Sequence, residues 1–154
     1  IELQLGGGFI GIFTGMDERD IERFIRHPRA MFETDGDLVE PGTGFPHARS
    51  YGSFPRVLAR YVRERKVLSL EEAVHRMTQM PAEWLSQRDR GTLAAGQVAD
   101  VTVFDAARIE DRSQYTDPHH YSEGVTHVLV NGTFVLRDAT MTGAKPGRFL
   151  ERAR

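Results

Sequence analysis

The sequence predicts an α/β segment followed by an antiparallel β segment, and three observations carry that prediction. A helical apolar stripe between Asp17 and Pro28 is followed at once by a short apolar run over 29–34 that ends in Thr34-Asp35-Gly36, the helix-to-strand step of an α/β protein. From Gly91 onward the chain turns rich in Val, Thr and Phe. Within that part Val128-Leu129-Val130 and Thr133-Phe134-Val135-Leu136 flank Asn131-Gly132, a dipeptide that tolerates the positive φ angles of a type I′ hairpin. The boundary falls near Arg90, which divides the chain into 1–90 and 91–154.

In order along the chain, Gly6-Gly7-Gly8 opens an apolar piece to Phe13. It reads as a loop entering a buried strand, since a P-loop would end in Gly-Lys-Ser/Thr and a dinucleotide fingerprint would need a strand-turn-helix context. Asp17 is placed to cap a helix with Ile21, Phe24 and Ile25 on one face, ended by His27-Pro28. After the strand 29–34, Ser53 is expected to cap a second helix with Pro55 in its first turn. Val57, Leu58, Tyr61 and Val62 form its buried stripe, and Arg56, Arg60, Arg63 and Arg65 its solvated face. Ser69-Leu70-Glu71-Glu72 matches a capping box, and the helix through Ala73, Val74 and Met77 is expected to break at Met80-Pro81. Residues 98–105 read as a strand, and 143–154 as a polar, mobile tail. Trp84, the only tryptophan, is expected to pack between the two parts.

Composition removes several classes of function. The 154 residues carry a formal charge of -2, without the basic face that phosphate neutralisation by a nucleic-acid binder needs. No apolar run approaches the ~20 residues of a membrane-spanning helix. With no cysteine there is no disulfide, thiolate nucleophile or Cys-ligated zinc. The reading is of a soluble, cytoplasmic protein, and the start at Ile1 is open to processing or to a chosen boundary.

Single residues leave two readings each. Asp35-Gly36 is a turn dipeptide or a catalytic carboxylate, and Arg49 is a surface arginine by default. His119-His120 follows Asp117-Pro118, but neighbours on an extended chain point to opposite faces, so a solvated loop competes with a metal site. His75 reads as exposed and His127 as packed in a strand, while Asp100 and Asp105 read as edge or turn residues.

Taken in order, certain segments carry a resemblance. They are Arg26-His27-Pro28-Arg29, Thr34-Asp35-Gly36, His47-Ala48-Arg49-Ser50-Tyr51-Gly52-Ser53-Phe54-Pro55-Arg56, Asp89-Arg90-Gly91-Thr92-Leu93 and Ala99-Asp100-Val101-Thr102-Val103-Phe104-Asp105. Together with Val130-Asn131-Gly132, they resemble the C-terminal portion of N-acyl-D-amino-acid deacylases, the D-aminoacylase branch of the amidohydrolase superfamily. The resemblance implies the end of a (β/α)8 metal-dependent hydrolase barrel, with 29–34 as its last strand. The C-terminal strands of a small composite β-domain would follow.

It also implies roles. Asp35 matches the aspartate beside the active-site zinc, itself a metal contact, which takes a proton from metal-bound water and returns it to the leaving amine. Arg49 matches the arginine that grips the substrate α-carboxylate, a task suited to a planar guanidinium. The implied reaction is hydrolysis of an N-acyl-D-amino acid to a carboxylate and a free D-amino acid. Most zinc ligands, a cysteine and histidines upstream, have no counterpart here, so the missing N-terminal part of the barrel or a partner chain is expected. Ala48 stands where the family usually has Pro, and Asp37 to Phe45 is longer than usual, so the pocket rim is expected to differ. The alternatives are a cyclic-amide hydrolase of the dihydroorotase or hydantoinase kind, against which Arg49 argues, and a catalytically incomplete interaction module.

Overall fold

A computed structural model of the chain describes residues 15–151. The glycine run at 6–8 and the apolar piece after it lie outside the described residues. Helix α1 spans Glu18–Arg26; α2, Arg49–Arg56, passes directly into a π-helical stretch, Val57–Glu64; α3 is Leu70–Met77 and α4 Gln79–Trp84. The strands are β1 (Val101–Phe104), β2 (Val125–Val130), β3 (Thr133–Arg137) and β4 (Thr140–Met141), forming one antiparallel sheet in sequence order.

Local signals place several of these elements. The Asp17 carboxylate accepts the Arg19 N–H at the start of α1. At α3 both halves of the capping box form, Ser69 Oγ accepting from Glu72 N–H and the Glu72 carboxylate from Ser69 N–H. The β2–β3 turn has Asn131 at φ 47° and Gly132 at φ 77°, both positive as a type I′ turn requires. Asp138 and Ala139 repeat positive φ between β3 and β4, without a glycine to announce it.

Helix α2 starts at Arg49 rather than at Ser53. The His47 imidazole explains the earlier start, because its Nδ1 accepts the Arg49 N–H at 3.0 Å. Ser53 lies inside the helix, its hydroxyl donating to the Arg49 carbonyl four residues back. Pro55 therefore falls in the helix interior and has no N–H for the Tyr51 carbonyl. The Ser122 hydroxyl donates to that carbonyl instead, at 3.2 Å, and the helix relaxes into the wider π form from Val57.

The helical break likewise falls two residues before the expected dipeptide, at Thr78 (φ −128°, ψ −83°). Pro81 then sits in the first turn of α4, where few N–H groups have partners to lose.

The core joins both parts. Val57, Leu58 and Tyr61 meet Ile25 of α1, Val67, Leu68 and Ala73, while Ile109 reaches in from beyond β1 and is 2% exposed. Phe104 and Val125 pack against this cluster from the sheet. The arginine face is not simply solvated. Arg60 pairs with Glu18, Arg65 with Glu22, and Arg63 with Glu110 and the Ile109 carbonyl, so it is a seam fastening the helix to its neighbours.

Other expectations are corrected. Residues 29–34 form no strand, because no neighbouring strand in the described chain offers a ladder. Their visible tie is Phe32 N–H to the Arg76 carbonyl. Phe24 and Trp84 are exposed, at 67% and 72%, since nothing in the described chain covers them. Two residues of the tail touch the rest of the chain, the Pro146 carbonyl accepting from Asn131 Nδ2 and the Glu151 carbonyl from Gln87 Nε2.

Arg76 is a buried cation that the sequence did not single out. Its guanidinium donates to the Ile25 and His27 carbonyls at 2.6 and 3.0 Å, closing the C-terminal end of α1. Through its own carbonyl it holds Phe32, so α1, α3 and the approach to Asp35 meet at one residue.

Candidate active site

Asp35 occupies the left-handed region, φ 46°, which a short polar side chain tolerates. The turn is held from both sides, by the Thr34 hydroxyl accepting Gly36 N–H and by Ser50 Oγ accepting Asp37 N–H. A Cβ at Gly36 would lie 2.9 Å from Ser50 Cα, so only glycine lets the turn sit this close to α2.

The two residues singled out from the sequence come together. Arg49 Nε donates to the Asp35 carbonyl at 2.6 Å, and the guanidinium lies 3.1 Å from the Asp35 carboxylate. Arg49 is thereby aimed by the first turn of α2 on one side and by the Asp35 backbone on the other. Both side chains remain exposed, so their mutual attraction adds little to stability, and the pair is free to meet a ligand.

His47 supports this arrangement. Burial, with a further contribution from the Arg49 charge, holds its pKa below the ordinary imidazole value, partly opposed by Asp35. The neutral ring so favoured is the form whose Nδ1 can accept the Arg49 N–H. Tyr115 packs edge-on against it, 5.1 Å between ring centres.

Arg49 also faces a cavity of about 410 Å³ lined by His47, Ser53, Arg56, Asp111 and Tyr115 among others. Arg56 and Asp111 meet on its wall, 3.5 Å apart, and the Asp111 side chain is 7% exposed. Neither emerged from the sequence as a site residue, because their partners lie more than fifty positions away and no local pattern links them.

The histidines resolve into separate tasks. His119 contacts Tyr51 and the backbone at Gly42 and Gly44, whereas His120 pairs with Asp117. Each ring thus has its own set of partners. His75 is exposed, and His127 is half-buried against Phe134. Asp100 serves structure, accepting from Asn131 N–H and Arg90, and Asp105 accepts from Ala107 N–H. Among the described residues no group of three or more His, Asp or Glu side chains could hold a metal ion. Nor is any described helix long and apolar enough to cross a membrane.

The sequence profile of the Amidohydrolase family matches residues 15–136, and the chain belongs to that family. It is 45% identical over 141 residues to the N-acyl-D-glutamate deacylase of Alcaligenes xylosoxydans xylosoxydans, covering 92% of this chain and 28% of that protein. A crystal structure of D-aminoacylase superposes with a TM-score of 0.82 at 37% identity, over 89% of this chain and 28% of that one. An N-acyl-D-glutamate deacylase from Bordetella Bronchiseptica, complexed with zinc and a phosphonate inhibitor that mimics the tetrahedral intermediate, gives 0.78 at 42% identity, over 90% and 28%. The chain thus spans little more than a quarter of the length of these relatives.

Proposed function

We propose that this chain is the C-terminal part of a zinc-dependent amidohydrolase that cleaves the amide bond of N-acyl-D-amino acids, with Asp35 as general acid/base and Arg49 as the clamp for the substrate carboxylate. The observation that carries the reading is the 3.1 Å approach of Arg49 to Asp35, with Arg49 also facing the cavity. A guanidinium so placed can take the free carboxylate of an amino acid through two parallel bonds and set the amide near Asp35. The Asp35 carboxylate can then accept a proton from the attacking water and return it to the leaving nitrogen.

Zinc of the whole enzyme would be held chiefly by residues outside this chain. The described residues bring together no three ligating side chains, fewer than a zinc site takes from protein. In this reading 1–90 closes the hydrolase barrel and 91–154 completes a small β-domain, with β1, an edge of the four-stranded sheet, left for strands from elsewhere in the protein.

The test uses a longer chain that supplies the remainder of the barrel. It should bind zinc and release amine from N-acetyl-D-glutamate or another N-acetyl-D-amino acid. Asp35→Asn should abolish turnover with little loss of folding, and Arg49→Ala should chiefly raise KM. A zinc-loaded longer chain that leaves every N-acyl-D-amino acid intact would refute the proposal.

A further inference from the structure

The segment between Asp35 and Arg49 is long, and 38–45 is poorly supported by packing. Leu38 is wholly exposed, and of these residues only Val39 is even half-buried. Within the segment a turn closes through Thr43 N–H to the Glu40 carbonyl. Among the described residues, the hydrogen bonds that fasten 38–45 to the rest of the chain both end on His119, 75 or more positions away. Nδ1 accepts Gly42 N–H at 3.2 Å, and Nε2 lies 3.1 Å from the Gly44 carbonyl.

These contacts fix the tautomer. A carbonyl facing Nε2 needs a hydrogen there, and a neutral ring then leaves Nδ1 as the acceptor that the Gly42 N–H requires. The same Nδ1 is 2.9 Å from the Tyr51 hydroxyl, whose O–H shares the ring's one lone pair with the Gly42 N–H, and the two rings pack edge to face. Tyr51 belongs to α2, two residues after Arg49. One imidazole thus joins the loop leaving Asp35 to the helix that carries the carboxylate clamp.

We infer that His119 is a positioning residue for the substrate clamp: it pins 42–44 to Tyr51 and so holds the loop that leaves Asp35 against the helix that carries Arg49. The assignment of a substrate rests on the function proposed above, but the tie itself does not. His119 touches no reacting group. Its removal should weaken substrate binding rather than slow the chemical step.

The test compares His119→Ala and His119→Asn with the parent. Asn keeps an acceptor near the Nδ1 position but not the Nε2 donor. In the 154-residue chain, amide hydrogen exchange over 38–45 should accelerate about tenfold in His119→Ala, the effect of losing one or two hydrogen bonds, with partial recovery in His119→Asn and little change over 57–64. In the longer, zinc-loaded enzyme His119→Ala should raise KM severalfold, for N-acetyl-D-glutamate and N-acetyl-D-leucine alike, at nearly constant kcat.

Unchanged exchange over 38–45 would overturn the tie, whatever the activity. Faster exchange with unaltered KM would overturn the positioning role. A parent enzyme inactive on both substrates, with exchange responding as expected, would uphold the tie and refute the proposed function instead.

Discussion

Replacing Arg76 with Met removes the guanidinium and keeps an unbranched apolar stem in its place. The side chain is 9% exposed and makes two charge-assisted bonds, to the Ile25 and His27 carbonyls at 2.6 and 3.0 Å. Each such bond contributes roughly 1.5–3 kcal/mol net, so the pair sets an upper bound of about 6 kcal/mol. Burying the cation costs part of that, because its nearest carboxylate, Glu72, is 3.8 Å away and more than half exposed. The expected loss is about 2–4 kcal/mol, which lowers the folded-to-unfolded ratio about 30- to 700-fold.

Urea unfolding followed by far-UV circular dichroism measures it. Trp84 is too exposed to report the transition by fluorescence. With a slope of about 2 kcal/mol per molar, the midpoint should fall by about 1–2 M, and Arg76→Lys should lie between the two because it keeps the charge and loses the planar fork. A Met variant within about 0.5 kcal/mol of the parent would mean that desolvation cancels the clamp, and the reasoning would be wrong.

Two further outcomes follow from local geometry. His47 is held below the ordinary imidazole value of 6.5, so the stability it contributes is complete above that pH and is lost as pH falls through the lower folded-state value. The urea midpoint should drop between about pH 7 and pH 5, and a His47→Gln chain should show a smaller drop over the same range. Ser69→Ala removes one half of the capping box and should cost about 1 kcal/mol, read as a lower urea midpoint with partial loss of helical signal at 222 nm. No change in that variant would mean that tertiary packing alone defines the start of α3.

What was legible in the sequence was what is decided locally. Asp17, the Ser69–Glu72 box and Asn131-Gly132 act on backbone groups within a few residues, and each formed where expected. The four residues of the helical stripe, Val57, Leu58, Tyr61 and Val62, survived even the passage into π geometry. Residues 29–34 have a strand's composition, but a strand is completed by its neighbours, and none in the described chain pairs with them. Ser53 looked like a cap because it precedes Pro55, and His47 supplied the competing acceptor two positions before Arg49, whose N–H it takes.

Asp35 and Arg49 were legible as a pair through the family resemblance, and the structure sets them in contact. Their supports were not. Arg60 with Glu18, His119 with Gly42 and Arg56 with Asp111 join positions 42, 77 and 55 residues apart, separations at which a side chain gives no sign of its partner.

Pro55 leaves a gap in the bonding of its helix, and the Ser122 hydroxyl fills it from the segment leading into β2. A helix that satisfied all its own carbonyls would be fastened to the sheet region by side chains alone, such as Arg63 on the Ile109 carbonyl. The gap gives it a keyed socket, with a single hydroxyl as the key, so the imperfection sets the alignment of two parts of the chain. Substituting Pro55 alone would close the socket while leaving the key in place, and the two positions should therefore vary together.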